Sequence, residues 1–135
     1  MHTFIIELED QPGTLAALAA ALGGEGINII GIAGSTWGGS GAVAIITNDD
    51  DGTRALLEGR GFSYRESELV AASLEDRPGS LADAARRLAD HGVNIQALML
   101  TGMQGGRVTV AFAVDIPAAA REALGDLATA GASAV

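Results

Sequence analysis

Cysteine is absent from the 135 residues, which excludes a disulfide framework and thiolate chemistry. Aromatic side chains are scarce: three Phe, one Tyr and one Trp, so a core has to be assembled from Ala, Leu, Ile and Val. Positive charge is also short, with 8 basic residues against 17 acidic ones and a formal net charge of −9. That balance argues against sequence-independent binding to nucleic acid or to anionic membranes, both of which need Lys and Arg. No apolar run approaches the ~20 residues of a membrane-spanning helix. The first residues, Met1-His2-Thr3-Phe4-Ile5-Ile6-Glu7, lack a basic segment and a cleavage site. A cytoplasmic protein with no nucleic-acid or membrane partner is the expectation.

Recognisable catalytic and cofactor signatures are missing too. The two histidines, His2 and His91, have no metal-ligand spacing, and His91 falls where a helix should end. Asp49-Asp50-Asp51-Gly52 suggests a calcium loop. An EF-hand begun at Asp49 would need Gly and Glu where Arg54 and Arg60 stand, so these carboxylates read as helix caps. The glycine-rich stretch 34–41 lacks the Gly-Lys-Ser/Thr ending of a phosphate loop. No Ser/His/Asp or Cys/His set is present, and the expectation is a non-enzyme without cofactor or metal.

What the chain does contain is a repeat. Leu8-Glu9-Asp10-Gln11-Pro12-Gly13-Thr14-Leu15 followed by Gly26-Ile27-Asn28-Ile29 returns as Leu74-Glu75-Asp76-Arg77-Pro78-Gly79-Ser80-Leu81 followed by Gly92-Val93-Asn94-Ile95. The offset is 66 in both motifs (78 − 12 and 94 − 28). A fixed internal period means one module used twice. Modules of 1–67 and 68–135 are each small enough to need a packing partner; the halves are expected to pack on each other, on a second chain, or both, and a homodimer is the expected assembly.

In the first copy, residues 3–9 read as a strand. Leu15, Leu18, Ala19 and Leu22 trace an amphipathic helix stripe. Residues 27–33 and 42–47 read as strands around a long loop at 34–41, 52–58 as a helix and 62–68 as a strand. The second copy repeats the order: strand 69–74, helix stripe Leu81, Ala84, Ala85 and Leu88, strand 93–100, loop 101–106, strand 107–114, a helix from 117 to about 128, and a short strand at 131–135. This β-α-β-β-α-β order predicts an α+β fold of two ferredoxin-like modules. No Gly or Pro interrupts 62–74, so the halves are expected to join without a flexible linker. Trp37 is expected to pack at the tip of its loop.

Asp-x-Pro-Gly-(Thr/Ser)-Leu lies between a strand and a helix start. The first helical N–H groups lack intrahelical partners and carry partial positive charge, a natural seat for a carboxylate. Asp10 and Asp76 stand just before that seat, where they could cap the helix or take an ammonium. Thr14 and Ser80 add hydroxyls. Asn28 and Asn94 open the next strand, at the opposite end of the sheet from their own Asp. A neighbouring module could bring them to the site. The same residues also serve simple turns and caps.

These motifs resemble the ACT domain, and the whole chain is similar to stand-alone tandem ACT proteins. The resemblance implies regulatory modules that bind a small amino acid at module interfaces, or that regulate an enzyme or transcription system through protein contact alone. It implies side-by-side pairing into one eight-stranded antiparallel sheet with helices on one face. Carried over, the ligand-binding set is Asp10, Gln11, Pro12, Gly13, Thr14, Leu15, Asn28 and Ile29, with Asp76, Arg77, Pro78, Gly79, Ser80, Leu81, Asn94 and Ile95. The copies differ at Gln11/Arg77 and Ile30/Gln96, so the two sites need not be equivalent.

Overall fold

The computed structural model describes residues 1–129. It divides into two compact units, one of His2–Glu66 and one from Ser67 onward with Met1. The N-terminal unit contains β1 (His2–Glu9), α1 (Thr14–Gly24), β2 (Ile29–Trp37), β3 (Ser40–Thr47), α2 (Asp50–Gly59) and the start of β4 (Tyr64–Glu75). Its strands run in the order β2-β3-β1, all antiparallel. The Glu7 N–H donates to Ser63 O at 2.9 Å, bringing the approach to β4 alongside β1. The C-terminal unit holds the rest of β4, then α3 (Ser80–Asp90), β5 (Ile95–Gln104), β6 (Arg107–Val114), α4 (Pro117–Leu124) and a 3-10 turn, Gly125–Leu127. Its order is β4-β6-β5, again antiparallel.

Each unit builds its own core on one face of its strands. In the first, Phe4 and Ile6 of β1 stand opposite Ile45 and Val43 of β3 and are covered by Leu18, Leu22, Leu56 and Leu57 from the two helices. In the second, Val70 and Ala72 of β4 face Phe112 and Val110 of β6, under Ala84, Leu88, Ala120 and Leu124. The pair Phe4/Ile45 thus becomes Val70/Phe112. The aromatic ring has moved to the opposite strand while the pair keeps one large and one branched side chain, the kind of volume-conserving exchange that cores tolerate.

The eight-strand expectation is corrected to six strands among the described residues. The strands read at 62–68 and 69–74 are one, β4, because nothing between them breaks extended backbone, and the short strand read at 131–135 lies outside the described residues. Among the described residues, an isolated antiparallel bridge joins Ala72 of β4 to Ala128. The long loops are also corrected. β2 continues to Trp37 and only Gly38-Gly39 turn, with φ of 59° and 86°; β5 likewise runs to Gln104 before Gly105-Gly106, φ 60° and 73°. Two-residue turns with positive φ match the twist of a hairpin. The glycines that suggested a loop have a second purpose: a Cβ on Gly41 would lie 2.9 Å from Leu8 O. Trp37, read as packed on its module, is 90% exposed.

The helix stripes shift by a position or two. Leu18, Ala21 and Leu22 are the buried residues of α1, and Ser80, Ala84 and Leu88 those of α3. Leu15 and Leu81 are exposed. The acidic run at 49–51 does cap a helix: the Gly52 N–H donates to Asp49 Oδ1 at 2.9 Å.

Candidate functional site

The repeated motif folds the same way twice. β1 and β4 end at Glu9 and Glu75, and the backbone reverses over the next four residues. Gly13 and Gly79, the N-caps of α1 and α3, adopt φ of 95° and 91°, a conformation that costs any side chain with a Cβ about 1–2 kcal/mol. A Cβ on Gly13 would meet nothing within 4 Å, so it is the torsion, not a close neighbour, that demands glycine. Neither helix receives a side-chain cap at this end.

The loops are closed differently. In the N-terminal unit the Thr14 hydroxyl lies 2.9 Å from Glu9 O and 3.2 Å from Gln11 O, and the Gln11 amide donates to the Glu9 carboxylate. In the C-terminal unit Arg77 Nε donates to Glu75 Oε2 at 2.7 Å, Nη1 to Pro78 O at 3.2 Å, and Nη2 lies 3.5 Å from Asp83. The hydrogen bond to Glu75 raises the Arg77 pKa. Ser80, which replaces Thr14, is buried and its Oγ has no partner among the described residues.

Beside each loop lies a groove. In the N-terminal unit it measures about 510 Å³, with Leu8, Leu15, Ile32 and Val43 as its apolar surface and Asp10, Gln11, Thr14, Ser35 and Thr36 as its polar margin. In the C-terminal unit it measures about 440 Å³ and is lined by Leu74, Leu81, Leu98, Leu100, Met103 and Val110, with Glu75, Asp76, Arg77 and Ser80. An apolar surface with a few polar groups at one end is the usual form of a small-molecule site.

Of the sequence-derived residues, the structure brings Asp10, Gln11, Thr14 and Leu15 together on one groove, and Asp76, Arg77, Ser80 and Leu81 on the other. Pro12, Gly13, Pro78 and Gly79 shape the turns. Asn28 and Asn94 line neither groove. They pair through their backbones: the Asn28 N–H donates to Asn48 Oδ1 at 2.9 Å and the Asn94 N–H to Asp115 Oδ1 at 2.8 Å. Ile29 and Ile95 pack against the two cores. The floor residues Ile32, Leu98, Leu100 and Met103 were not singled out in the sequence. Met103 lay in a stretch read as loop, and an apolar residue on a strand does not announce which face it lines.

Outside the grooves, one polar cluster stands out. Glu66 accepts two 2.7 Å bonds from Arg54 and also contacts His2. The Arg54 guanidinium, helped by His2, holds its carboxyl down at about 2. No group of His, Asp and Glu among the described residues could hold a metal ion. No helix among the described residues is long and apolar enough to cross a membrane.

The ACT domain model matches the chain twice, over residues 2–58 and 69–128. Among solved structures, a protein from Bacteroides thetaiotaomicron is similar at 22% identity, with 93% of this chain and 86% of that one covered and a TM-score of 0.76. The regulatory subunit of aspartate kinase from Thermus thermophilus is similar at 23% identity, covering 93% and 91%, with a TM-score of 0.64. Its counterpart from Thermus flavus is 22% identical, covering 93% and 92%, with a TM-score of 0.67. No curated protein matches. With the family model covering both copies of the repeat, and a β-α-β-β-α order built around each Pro-Gly turn among the described residues, the chain belongs to the ACT domain family as a tandem pair of ACT domains.

Proposed function

We propose that the protein is a regulatory module that binds a small amino acid and performs no chemistry on it. The observation that carries this reading is the same groove placed beside the same Pro-Gly turn in both units. An α-amino acid matches its parts: an ammonium for Asp10 or Asp76, a carboxylate for the first N–H groups of α1 or α3, and a side chain for the apolar wall. The similarity in fold to regulatory subunits of aspartate kinase accords with a role in controlling an enzyme. A homodimer in which another copy completes each site is part of the proposal, as is a cytoplasmic location. Ligand binding would favour one conformation or assembly over another.

Thermal-shift screening across the proteinogenic amino acids tests this, because a ligand specific to the native state raises its apparent stability. At least one amino acid should raise the melting temperature. Asp10→Ala and Asp76→Ala should each lower its affinity about tenfold or more, the scale of a lost charge-assisted hydrogen bond. No shift with any amino acid would sink the reading.

A second reading, control of a partner protein without a ligand, is favoured by the exposed apolar side chains of the C-terminal groove. Leu100 is 61% and Met103 67% exposed, and clustered apolar exposure marks interaction surfaces.

A further inference from the structure

The C-terminal unit has a concavity that the N-terminal unit has not been given the residues to form. It adjoins the apolar groove, sharing Arg77 and Ser80 with it, measures about 240 Å³, and is lined also by Arg87 of α3, Arg107 at the start of β6, and Asp126. Three of the chain's eight basic residues therefore meet in one place, although the protein as a whole is strongly acidic. The repeat makes the enrichment specific. The positions equivalent to Arg77, Arg87 and Arg107 in the N-terminal unit hold Gln11, Ala21 and Ser40, the last aligned by its register opposite Glu9 as Arg107 is opposite Glu75.

Three carboxylates face these guanidiniums. Glu75 and Asp83 lie 2.7 Å and 3.5 Å from Arg77, and Asp126 lies 3.0 Å from Arg87. All three are exposed, and such pairs contribute about 0–1 kcal/mol, so an incoming oxyanion can replace them at little cost. Arg107 is different. It has no carboxylate within 4.0 Å among the described residues. Instead its Nε donates to Ser73 Oγ at 2.8 Å and its Nη2 to Ser73 O at 2.9 Å. Two neutral acceptors thus hold the guanidinium in position and leave its charge unmatched. The second polar sign is Ser80, 8% exposed, whose hydroxyl has no partner among the described residues although Thr14 at the same position is bonded. Fixed guanidinium forks match carboxylate and phosphate oxygens two at a time.

We propose that the arginine-lined pocket of the C-terminal unit, formed by Arg77, Arg87 and Arg107 around Ser80, is an oxyanion site for the phosphoryl or carboxylate group of a small polyanionic ligand. It adjoins the C-terminal amino-acid groove, with which it shares Arg77 and Ser80, and is set apart from it by Arg87 and Arg107, which do not line that groove.

Isothermal titration with inorganic phosphate and, separately, with citrate, at constant ionic strength and against a chloride control, tests it in the full chain. Saturable binding of at least one anion is expected. Arg107→Ser, which restores the residue of the N-terminal unit, should weaken that binding about tenfold or more, and Arg87→Ala comparably. Both variants should keep the wild-type circular dichroism spectrum. Phosphate binding alone identifies a phosphoryl ligand, citrate alone a carboxylate ligand, and either supports the site. Absence of anion-specific binding, or equal affinity in wild type and folded Arg107→Ser, overturns it.

Discussion

Where the N-terminal groove has Gly34 and Thr36, the C-terminal groove has Leu100 and Met103, placed opposite Val110 and Val108 as Gly34 and Thr36 are placed opposite Val43 and Gly41. The consequence is a smaller and more apolar space, about 440 Å³ against about 510 Å³. β5 carries an irregularity between Leu100 and Gly102 opposite β6 that β2 does not show between Gly34 and Thr36 opposite β3, and in the N-terminal unit β1 lies close enough to β3 that Gly41 cannot accept a Cβ without movement. The turn that positions the site has been kept in both copies, because its positive φ admits glycine and little else. The groove walls have diverged, because a strand accepts any side chain that its exposed face can carry.

The largest effect should come from the two cores. Phe4→Ala and Phe112→Ala remove fully buried rings and should each cost about 3–5 kcal/mol in chemical denaturation. The double exchange Phe4→Val with Ile45→Phe, which gives the N-terminal unit the arrangement of Val70 and Phe112, should cost less than about 1.5 kcal/mol. An equal loss would break the claim that the two cores solve one packing problem in mirrored ways.

Acid comes next, and it should separate the units. Glu66 has its carboxyl pulled from 4.5 to about 2 by Arg54 and, less, by His2. Its folded pKa is depressed, so its contribution is present above pH 4.5 and is lost as the pH falls toward 2. In the C-terminal unit Asp126 is also lowered by Arg87, but it is exposed and that pair is heavily screened. Amide protection factors, which correct for the slower intrinsic exchange in acid, should therefore fall more in α2 and β1 than in α3 and α4 as the pH drops from 5 to 3, about the range of carboxylate titration. Glu66→Gln should remove most of the difference.

The glycine turns should give the smallest change. Gly13→Ala and Gly79→Ala should each destabilise by about 1–2 kcal/mol, measured by urea titration. A loss confined to one of them would show that the two turns are not energetically alike.

The module order and the Pro-Gly turns were legible because they rest on local rules: alternation, helical period, and the few residues that tolerate special torsions. Asp49 was readable as a cap for the same reason. The hairpins were legible as strand pairs, but their tight turns were not, since Gly34 and Gly41 look like loop residues until a strand is seen passing close by. Half of each proposed binding set was placed on its groove by adjacency to the turn. Asn28 and Asn94 were not, because a strand's far end is separated from its near end by the length of the strand. The partners they do have, Asn48 and Asp115, are 20 and 21 residues away.

The amino-acid order alone was enough to establish the duplication, the β-α-β-β-α order that both copies share among the described residues and the two glycine-capped helix starts, since the elements and turns depend on neighbours a few positions apart. The merging of two strands into β4, the unequal filling of the grooves and the meeting of Arg77, Arg87 and Arg107 depend on strand register and helix packing. The three arginines alone span 30 positions in sequence (107 − 77), and such relations exist only once the apolar faces have chosen their partners.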